Sequence, residues 1–301
     1  MSNIFRVFVI TFCLAVAQPA GAALNVFACE PEWAALSKEL GGAAVNVYAA
    51  TTAQQDPHHI QARPSLIARL RNADLLVCTG AELEIGWLPV LQRQAGNDKV
   101  QLGQPGYFLA ADQVVKLGVP AHVDRSMGDV HPYGNPHIQT DPRRILTVAA
   151  ALSERLGELD PAQRDAYTKR FTDFKQRWQA AMARWEQQAA SLRGIPVVSH
   201  HENWAYLYDW LGIREVGTLE PKPGIAPSAS HLAQLKAQLT TQPARIVIRA
   251  AYQDPRAAEW LNEQTGLPIV VLPFTVGGTK RAVDLFSLFD DTVDRLLQAL
   301  T

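Results

Sequence analysis

The chain has 301 residues, and its 28 basic side chains nearly balance its 29 acidic ones. A net charge this close to zero provides no broad field for nucleic acid or for an anionic membrane surface, so we expect no nucleic-acid partner. The length is sufficient for two domains of ordinary size, each with its own hydrophobic core.

The first residues predict a cleavable export signal. Arg6 precedes an apolar run over residues 7–17, and Ala20 and Ala22 have the spacing of small residues at a signal cleavage site. The apolar run of about eleven residues is too short to span a bilayer. We therefore assign residues 1–23 to a signal peptide and expect the mature chain to be exported.

The next segment, residues 24–159, alternates apolar strands with helices. This alternation predicts a mostly parallel sheet with helices on both faces, and in such sheets binding groups lie in loops at the carboxyl ends of strands. A loop rich in Gly, Pro, Asp and His covers residues 103–142. The predicted strands cover residues 24–29, 45–51 and 74–79, and the predicted helices cover residues 31–40, 64–71, 83–94 and 143–156.

Residues 160–193 predict one long helix. Asp160 suits the N-cap, Pro161 the first helical position, and Gln163 completes a capping box. Aromatic and apolar residues follow at steps of three and four, which predicts one buried stripe along a rod of about 50 Å. The stripe consists of Tyr167, Phe171, Phe174, Trp178, Met182 and Trp185.

Residues 194–301 repeat the layout of the first segment. We therefore predict an α/β fold of two lobes, each with a mostly parallel four-stranded sheet flanked by helices, joined by one long rigid helix. The predicted strands of this lobe cover residues 195–199, 245–250 and 268–272. The predicted helices cover residues 204–211, 228–239, 255–265 and 283–300.

Two cysteines remain after removal of the signal, Cys29 and Cys78, each at the end of a predicted strand. In an oxidising compartment they form a disulfide if those strands are neighbours, and otherwise they are two small buried thiols. The sequence leaves both alternatives open.

Seven of the eight histidines fall into three groups at predicted strand ends or loops. Histidine gathers in this way mainly for metal binding or for acid–base chemistry. The groups are His58 with His59, His122 with His131 and His137, and His200 with His201.

Several segments, in the same order along the chain, resemble the solute-binding proteins of zinc and manganese ABC importers, the ZnuA-like family. DPHHIQARP at 56–64 resembles the first histidine segment of that family, GNPHIQTDP at 134–142 the second, and SHHENWAYL at 199–207 the third. ADLLVCTGAELEIGWL at 73–88 and RAVDLFSLF at 281–289 are also similar to family segments.

The resemblance implies a metal site formed by His58, His137, His201 and Asp284, with two ligands from each lobe. Three imidazoles and one carboxylate suit Zn²⁺, whereas Mn²⁺ prefers more oxygen ligands. The resemblance further implies a monomeric periplasmic protein that catalyses no reaction and delivers zinc to an ABC permease and its ATPase.

A short loop in the first lobe carries further ligand types, where many zinc-binding relatives have a long His/Asp-rich loop. This is similar to the AztC-type subgroup, in which a periplasmic zinc metallochaperone also delivers the metal. We expect the loop either to capture or hand over zinc, or to act as a flexible cover without metal contact. Its candidate residues are His122, Asp124, Asp129 and His131.

Three other functions are compatible with the same features. A siderophore- or haem-binding protein of the same fold class would need a broad aromatic or basic cleft. A zinc hydrolase would use Glu202 as its general base and would keep one coordination position for water. An extracellular adhesive role is the third.

Overall fold

The computed structural model describes residues 22–124, 127–129 and 131–300. The signal peptide predicted for residues 1–23 lies almost wholly outside these residues. Within the described part of the chain, no helix has both the length and the apolar character needed to cross a membrane.

The first lobe contains a four-stranded sheet in which every neighbouring pair is parallel. The strand order is β2-β1-β3-β4. All four residues of β3 are buried, as expected for a parallel strand covered by helices on both faces. The elements are β1 (Leu24–Ala28), α1 (Pro31–Gly41), β2 (Val45–Ala49), α2 (Pro64–Arg71), β3 (Leu75–Cys78), α3 (Leu88–Ala95) and β4 (Tyr107–Leu109).

Helix α4 (Pro142–Leu159) leads into the long helix α5 (Arg164–Gln188), which 3-10 turns extend at both ends to Pro161 and Leu192. The predicted capping box at Asp160 is wrong. Because the 3-10 turn moves the start of the α-helix to Arg164, the Asp160 carboxylate instead accepts a hydrogen bond from the Tyr167 hydroxyl at 3.1 Å.

The aromatic stripe of α5 is buried as predicted. Phe174, Trp178 and Trp185 are fully buried, and Phe171 and Met182 pack partly exposed against the same core. The Trp178 indole donates to the backbone oxygen of Pro142 in α4 at 2.8 Å. The helix is therefore fixed to the first lobe by an aromatic side chain whose N–H has a partner.

The second lobe repeats the first with a parallel sheet of order β6-β5-β7-β8. The prediction of two α/β lobes with four-stranded sheets is confirmed, although β4 and β6 were not located in the sequence. The Trp185 indole of α5 donates to Asp290 in this lobe at 2.6 Å. The elements are β5 (Pro196–Ser199), α6 (Ala205–Leu211), β6 (Arg214–Thr218), α7 (Ala229–Gln238), β7 (Ile246–Ala250), α8 (Arg256–Thr265), β8 (Ile269–Leu272) and α9 (Leu285–Gln298).

Cys29 and Cys78 form a disulfide, which settles the alternative that the sequence left open. Strands β1 and β3 are neighbours in the first sheet, with Ala28 opposite Val77. The two Cα atoms therefore lie 4.8 Å apart, within the range that a disulfide spans.

Direct hydrogen bonds also join the two lobes. The Tyr206 hydroxyl in α6 donates to the backbone oxygen of Asn135 at 2.5 Å, and Arg143 in α4 donates to Asp209 at 2.6 Å. The Thr275 hydroxyl donates to the Glu32 carboxylate of α1 at 2.5 Å. The lobes are thus connected on their facing surfaces as well as through α5.

Candidate metal centre

His58 lies in the loop after β2, and its local hydrogen bonds fix the orientation of its ring. Its backbone N–H donates to Asp56 at 3.0 Å, and its Nδ1 lies 2.7 Å from the same carboxylate oxygen. The Trp87 indole donates to the backbone oxygen of Pro57 and anchors the loop. With Nδ1 bound to Asp56, Nε2 is the atom left for a metal, and Nε2 is buried without a hydrogen-bond partner.

His201 follows β5 in the second lobe and is oriented in the same way. Its Nδ1 lies 2.7 Å from Oε2 of Glu220, a residue in the loop after β6. Although burial by itself lowers the pKa of His201, the hydrogen bond and charge of Glu220 raise it above its ordinary value. Glu220 therefore fixes the ring and makes it a more basic nitrogen ligand.

His137 lies just before a 3-10 turn over Ile138–Thr140 and is only 1% exposed. The Asn135 side chain accepts its backbone N–H at 2.9 Å, and the ring packs edge-on against Phe274. Burial, together with the neighbouring His58 and His201, holds the pKa of His137 well below its ordinary value. The imidazole is consequently neutral, the form that binds metal.

These three histidines converge between the lobes. Their ring centroids are 5.4 to 5.8 Å apart, and one potential ligand atom from each lies within 4.8 Å of the others. Two cavities open onto the cluster. One of about 170 Å³ reaches His137 and His201, and the other, of about 230 Å³, reaches His58 and His201.

A fourth histidine, His131, lies beside the same cluster, outside the three residues whose ligand atoms are within 4.8 Å of one another. Its ring centroid is 5.4 Å from that of His58 and 6.4 Å from that of His137. Burial and the neighbouring His58 and His201 lower the pKa of His131 to about 4, and its Nε2 is buried without a partner. The sequence placed His131 in the auxiliary loop, whereas the structure places its ring beside the three converging histidines.

The structure does not bring Asp284 into this cluster, contrary to the expectation from the sequence. Asp284 is exposed at the N-cap of α9, where its carboxylate accepts hydrogen bonds from the backbone N–H and the hydroxyl of Ser287, both at 2.7 Å. The physical reason is a local capping box, because a Ser stands three positions after the Asp at a helix start. This pattern is visible in the sequence and could have suggested the cap.

The other candidates of the auxiliary loop lie further out. The Asp129 carboxylate is 3.8 Å from Nε2 of His59, and its backbone N–H donates to Pro223 of the second lobe at 2.8 Å. His122 and Asp124 are exposed. Among the described residues, the group of converging metal-ligand types near the cleft contains neither of them.

Glu202 is exposed, and its side chain lines the cavity that reaches His137 and His201. Its backbone oxygen accepts a hydrogen bond from the Asn135 side chain of the first lobe at 2.7 Å.

The sequence did not identify the two acids that orient the histidine rings, Asp56 and Glu220. Asp56 could have been found from its place just before the histidine pair, whereas nothing in the sequence connects Glu220 with His201.

Cys29, Cys78 and Glu84 also lie close enough together to hold an ion. Their sulfurs are bonded to each other in the disulfide, so the thiolates that would bind a metal are not available. Of these two groups, the histidine cluster is the one whose ligand atoms remain available.

The fold and the histidine cluster define a two-lobed α/β protein with a candidate metal centre between its lobes. The family model described as zinc-uptake complex component A, periplasmic (ZnuA), matches residues 26–299, and the chain belongs to this family.

Individual relatives agree with this membership. The high-affinity zinc uptake system protein ZnuA of Yersinia pestis is 26% identical over 195 residues, which cover 61% of this chain and 61% of that protein. The zinc-binding lipoprotein AdcA of Streptococcus pneumoniae serotype 4 is 21% identical over 270 residues, or 87% of this chain and 53% of that protein. The chain thus spans between half and two thirds of the length of these curated relatives.

A crystal structure of ZnuA has the same fold. It superposes with a TM-score of 0.78 at 21% identity and covers 93% of this chain and all of the other.

Proposed function

We propose that this chain is the zinc-capturing component of an ABC import system. It binds Zn²⁺ between its lobes with His58, His137 and His201 and presents it to a membrane permease and its ATPase. The observation that carries the proposal is the convergence of these histidines from both lobes, with ligand atoms within 4.8 Å. The names of its relatives, which refer to zinc uptake and zinc binding, support the same metal.

The chemistry of the donors favours zinc over manganese. A set built from neutral imidazole nitrogens suits Zn²⁺, and Mn²⁺ is better served by carboxylate and carbonyl oxygens. Capture and release require no reaction, so we assign no catalytic residue.

We further propose that His131 supplies the fourth ligand in place of Asp284. Its ring lies beside His58, and its unpartnered buried Nε2 gains a bonding partner when a metal is present. A closed set of four protein ligands is the arrangement of a site that holds zinc without activating water. In contrast, Oδ1 of Asp284 accepts two hydrogen bonds from Ser287 at the start of α9.

The exposed part of the auxiliary loop suits transfer of zinc from a periplasmic metallochaperone, the role implied by the short-loop resemblance. His122 and Asp124 face solvent, while Asp129 and His131 lead inward. A variant with His122 and Asp124 replaced by alanine, which keeps the proposed ligand His131, should load zinc more slowly from buffer and from the chaperone. Normal loading rates from both sources would remove this role.

We propose that the protein acts as an exported monomer whose lobes rotate only slightly on zinc release. The long helix α5 and the direct interlobe bonds of Tyr206 and Arg143 oppose a wide opening. Small-angle scattering should give nearly equal radii of gyration for the metal-stripped and zinc-loaded forms. A large expansion on metal removal would contradict the proposal.

The decisive experiment is a titration of the metal-stripped mature protein with zinc and with manganese, beside its His201→Ala variant. The parent should bind one tight equivalent of zinc and manganese much more weakly, and the variant should bind zinc at least about 100-fold more weakly. His59→Ala is the matched control, because His59 is 68% exposed and adjacent to a proposed ligand. If the parent bound no tight zinc, the proposed function would fail.

A further inference from the structure

The first lobe contains an oxygen-lined pocket at the place where its topology favours a ligand. In a sheet of order β2-β1-β3-β4, the chain leaves the carboxyl ends of β1 and β3 in opposite directions, and ligands bind in the crevice between such ends. Glu30 follows β1 and Thr79 follows β3. The proposed zinc site uses neither of them.

Three carboxyl groups are buried together at this place. Glu30, Glu32 and Glu84 are 3%, 1% and 3% exposed. No described Lys, Arg or His forms an ion pair with any of them, and burial raises the pKa of both Glu32 and Glu84 to about 7. Backbone N–H groups of Thr79 and Gly80 donate to Glu84, and the Thr275 hydroxyl donates to Glu32. Buried carboxylates without a cationic partner are nevertheless costly, and protons or a bound cation would neutralise the cluster.

The cavity beside these carboxyls has room for one small species. About 10 Å³ is open to the centre of a water-sized particle, which is about the space that a single particle needs. Every polar group on its wall can supply an oxygen. The polar residues of the wall are Glu30, Glu32, Thr51, Thr52, Gln139 and Thr275, together with Gln55.

Two oxygens on this wall lack a partner. Oε1 of Glu30 and Oε1 of Gln139 are buried without any hydrogen bond, and Gln139 is 1% exposed. Gln139 is neutral, so its unpartnered oxygen is an observation independent of the acidic cluster. Both residues line the same small cavity, where a single cation would give both buried acceptors a partner.

We propose that this cavity is a second metal site, which takes a hard divalent cation such as Ca²⁺ or Mg²⁺ through Glu30, Glu32 and Gln139. The all-oxygen donor set selects such ions, in contrast to the nitrogen set of the histidine cluster. Thr275 belongs to the second lobe and donates to Glu32 of the first. A cation here therefore lies beside a hydrogen bond that joins the two lobes. The proposal does not depend on the zinc function.

The test uses Tb³⁺, a luminescent hard cation, added to mature protein already saturated with zinc so that the histidines are occupied. The Trp33 indole donates to the Thr79 hydroxyl at 2.7 Å, and that hydroxyl donates to Glu30 at 3.1 Å. Trp33 is therefore close enough to sensitise Tb³⁺ emission. We expect one sensitised equivalent that excess Ca²⁺ or Mg²⁺ displaces.

Two variants test whether the sensitised Tb³⁺ is bound in this cavity. Glu30→Gln keeps the shape and removes the charge, and Gln139→Leu removes the neutral oxygen; each should weaken Tb³⁺ binding at least about tenfold. Glu154→Gln, at an exposed position of α4, is the control and should bind as the parent does. Circular dichroism and the zinc stoichiometry, measured separately, verify that each variant is folded.

The inference would be overturned by the absence of sensitised emission, by emission that neither Ca²⁺ nor Mg²⁺ displaces, or by equal binding in the parent and both variants. The first outcome would mean that shared protons alone neutralise the buried carboxyls. A zinc titration that fails while Tb³⁺ still binds would remove the proposed function and leave this second site in place.

Discussion

The central strands β1 and β5 occupy equivalent places in two sheets of the same order, yet their carboxyl ends carry different chemistry. Strand β5 runs into His200 and His201, whose rings lie beside and within the histidine cluster, respectively. Strand β1 runs into Cys29, joined in a disulfide, and Glu30, one of three buried carboxyls. The fold thus determines where the two candidate sites lie, and the residues after each strand determine which ligand each site would suit.

The edge strands β2 and β6, in contrast, are followed by loops with the same role. Each loop supplies an acid that orients a histidine ring. The loop after β2 supplies Asp56, which holds His58, and the loop after β6 supplies Glu220, which holds His201. Both contacts join a carboxylate oxygen to Nδ1 at 2.7 Å. Each lobe therefore contributes a histidine whose free nitrogen is fixed by an acid from an edge-strand loop.

If the two acids have the same function, removing either one should weaken zinc binding strongly and to a similar extent. Asp56→Asn and Glu220→Gln each keep an acceptor oxygen but lose the charge that orients and polarises the imidazole. We expect each to weaken zinc binding about 10- to 100-fold, measured by competition with a chromogenic chelator.

The matched control for the orienting acids is Glu263→Gln, at an exposed residue of α8 that lines neither cavity. It should bind zinc much as the parent does. If Glu220→Gln bound zinc as tightly as the parent, the acid would not contribute to the site of the second lobe as Asp56 does in the first.

The two lobes also differ in whether they provide the fourth zinc ligand, His131 in the first lobe or Asp284 in the second. His131→Ala should weaken zinc binding about tenfold by removing a nitrogen beside His58. Asp284→Ala should leave zinc binding unchanged and cost about 1 kcal/mol of unfolding free energy in urea, because it removes a helix cap. The reverse pattern, with affinity lost only in Asp284→Ala, would restore two ligands to each lobe.

The pH dependence of zinc binding should include the protonation of His201 in the second lobe. Protons compete with zinc for His201, whose pKa is raised, whereas His137 and His131 have lowered pKa values and are already neutral near pH 7. Zinc affinity is therefore full at higher pH and should fall by about tenfold per unit as the pH drops through the raised pKa of His201.

The measurement is the zinc dissociation constant across the range from about pH 8 to 5.5, in the parent and in Glu220→Gln. The onset of the decline should move to lower pH in the variant, because the interaction that raises the pKa is weakened. An affinity that stays constant over this range in the parent would contradict the histidine site.

The smallest expected effect concerns the contact between the lobes. Tyr206→Phe removes the hydroxyl that donates to Asn135 and accepts from the backbone N–H of Leu117. We expect a loss of about 1 kcal/mol in unfolding free energy. Tyr133→Phe, at a side chain that is 60% exposed, should change nothing measurable, and equal effects of both variants would mean that the interlobe bonds are not stabilising.

Much of the fold follows from patterns that the sequence shows directly. Buried runs such as LLVC at 75–78 and the aromatic stripe around Trp178 and Trp185 predicted strands and a long helix that the structure contains. Strand β4 has only three residues, and β6 contains Gly217 and a charged, half-exposed face, so neither has the signal of a buried strand. These strands form through pairing with β3 and β5, which is a tertiary effect.

The candidate site was predictable where its residues lie in short segments, as with His58, His137 and His201. At two helix starts the structure differs from the expectation, and each difference has a local cause. At Asp160 a 3-10 turn intervenes and Tyr167 binds the carboxylate, and at Asp284 a nearby Ser287 completes a cap. Contacts between distant loops, such as that of Glu220 with His201, leave no trace in the order of residues.

The aromatic face of α5 belongs to one continuous hydrophobic cluster that extends from Val26 in the first lobe to Leu296 in the second. Neither lobe can therefore lose its structure without exposing indole and phenyl surface shared with the other. Such coupling makes unfolding cooperative across the mature chain, so calorimetry should record a single transition. A fragment that ended before Trp178 would lack part of its own core. The two lobes should therefore fold as one unit.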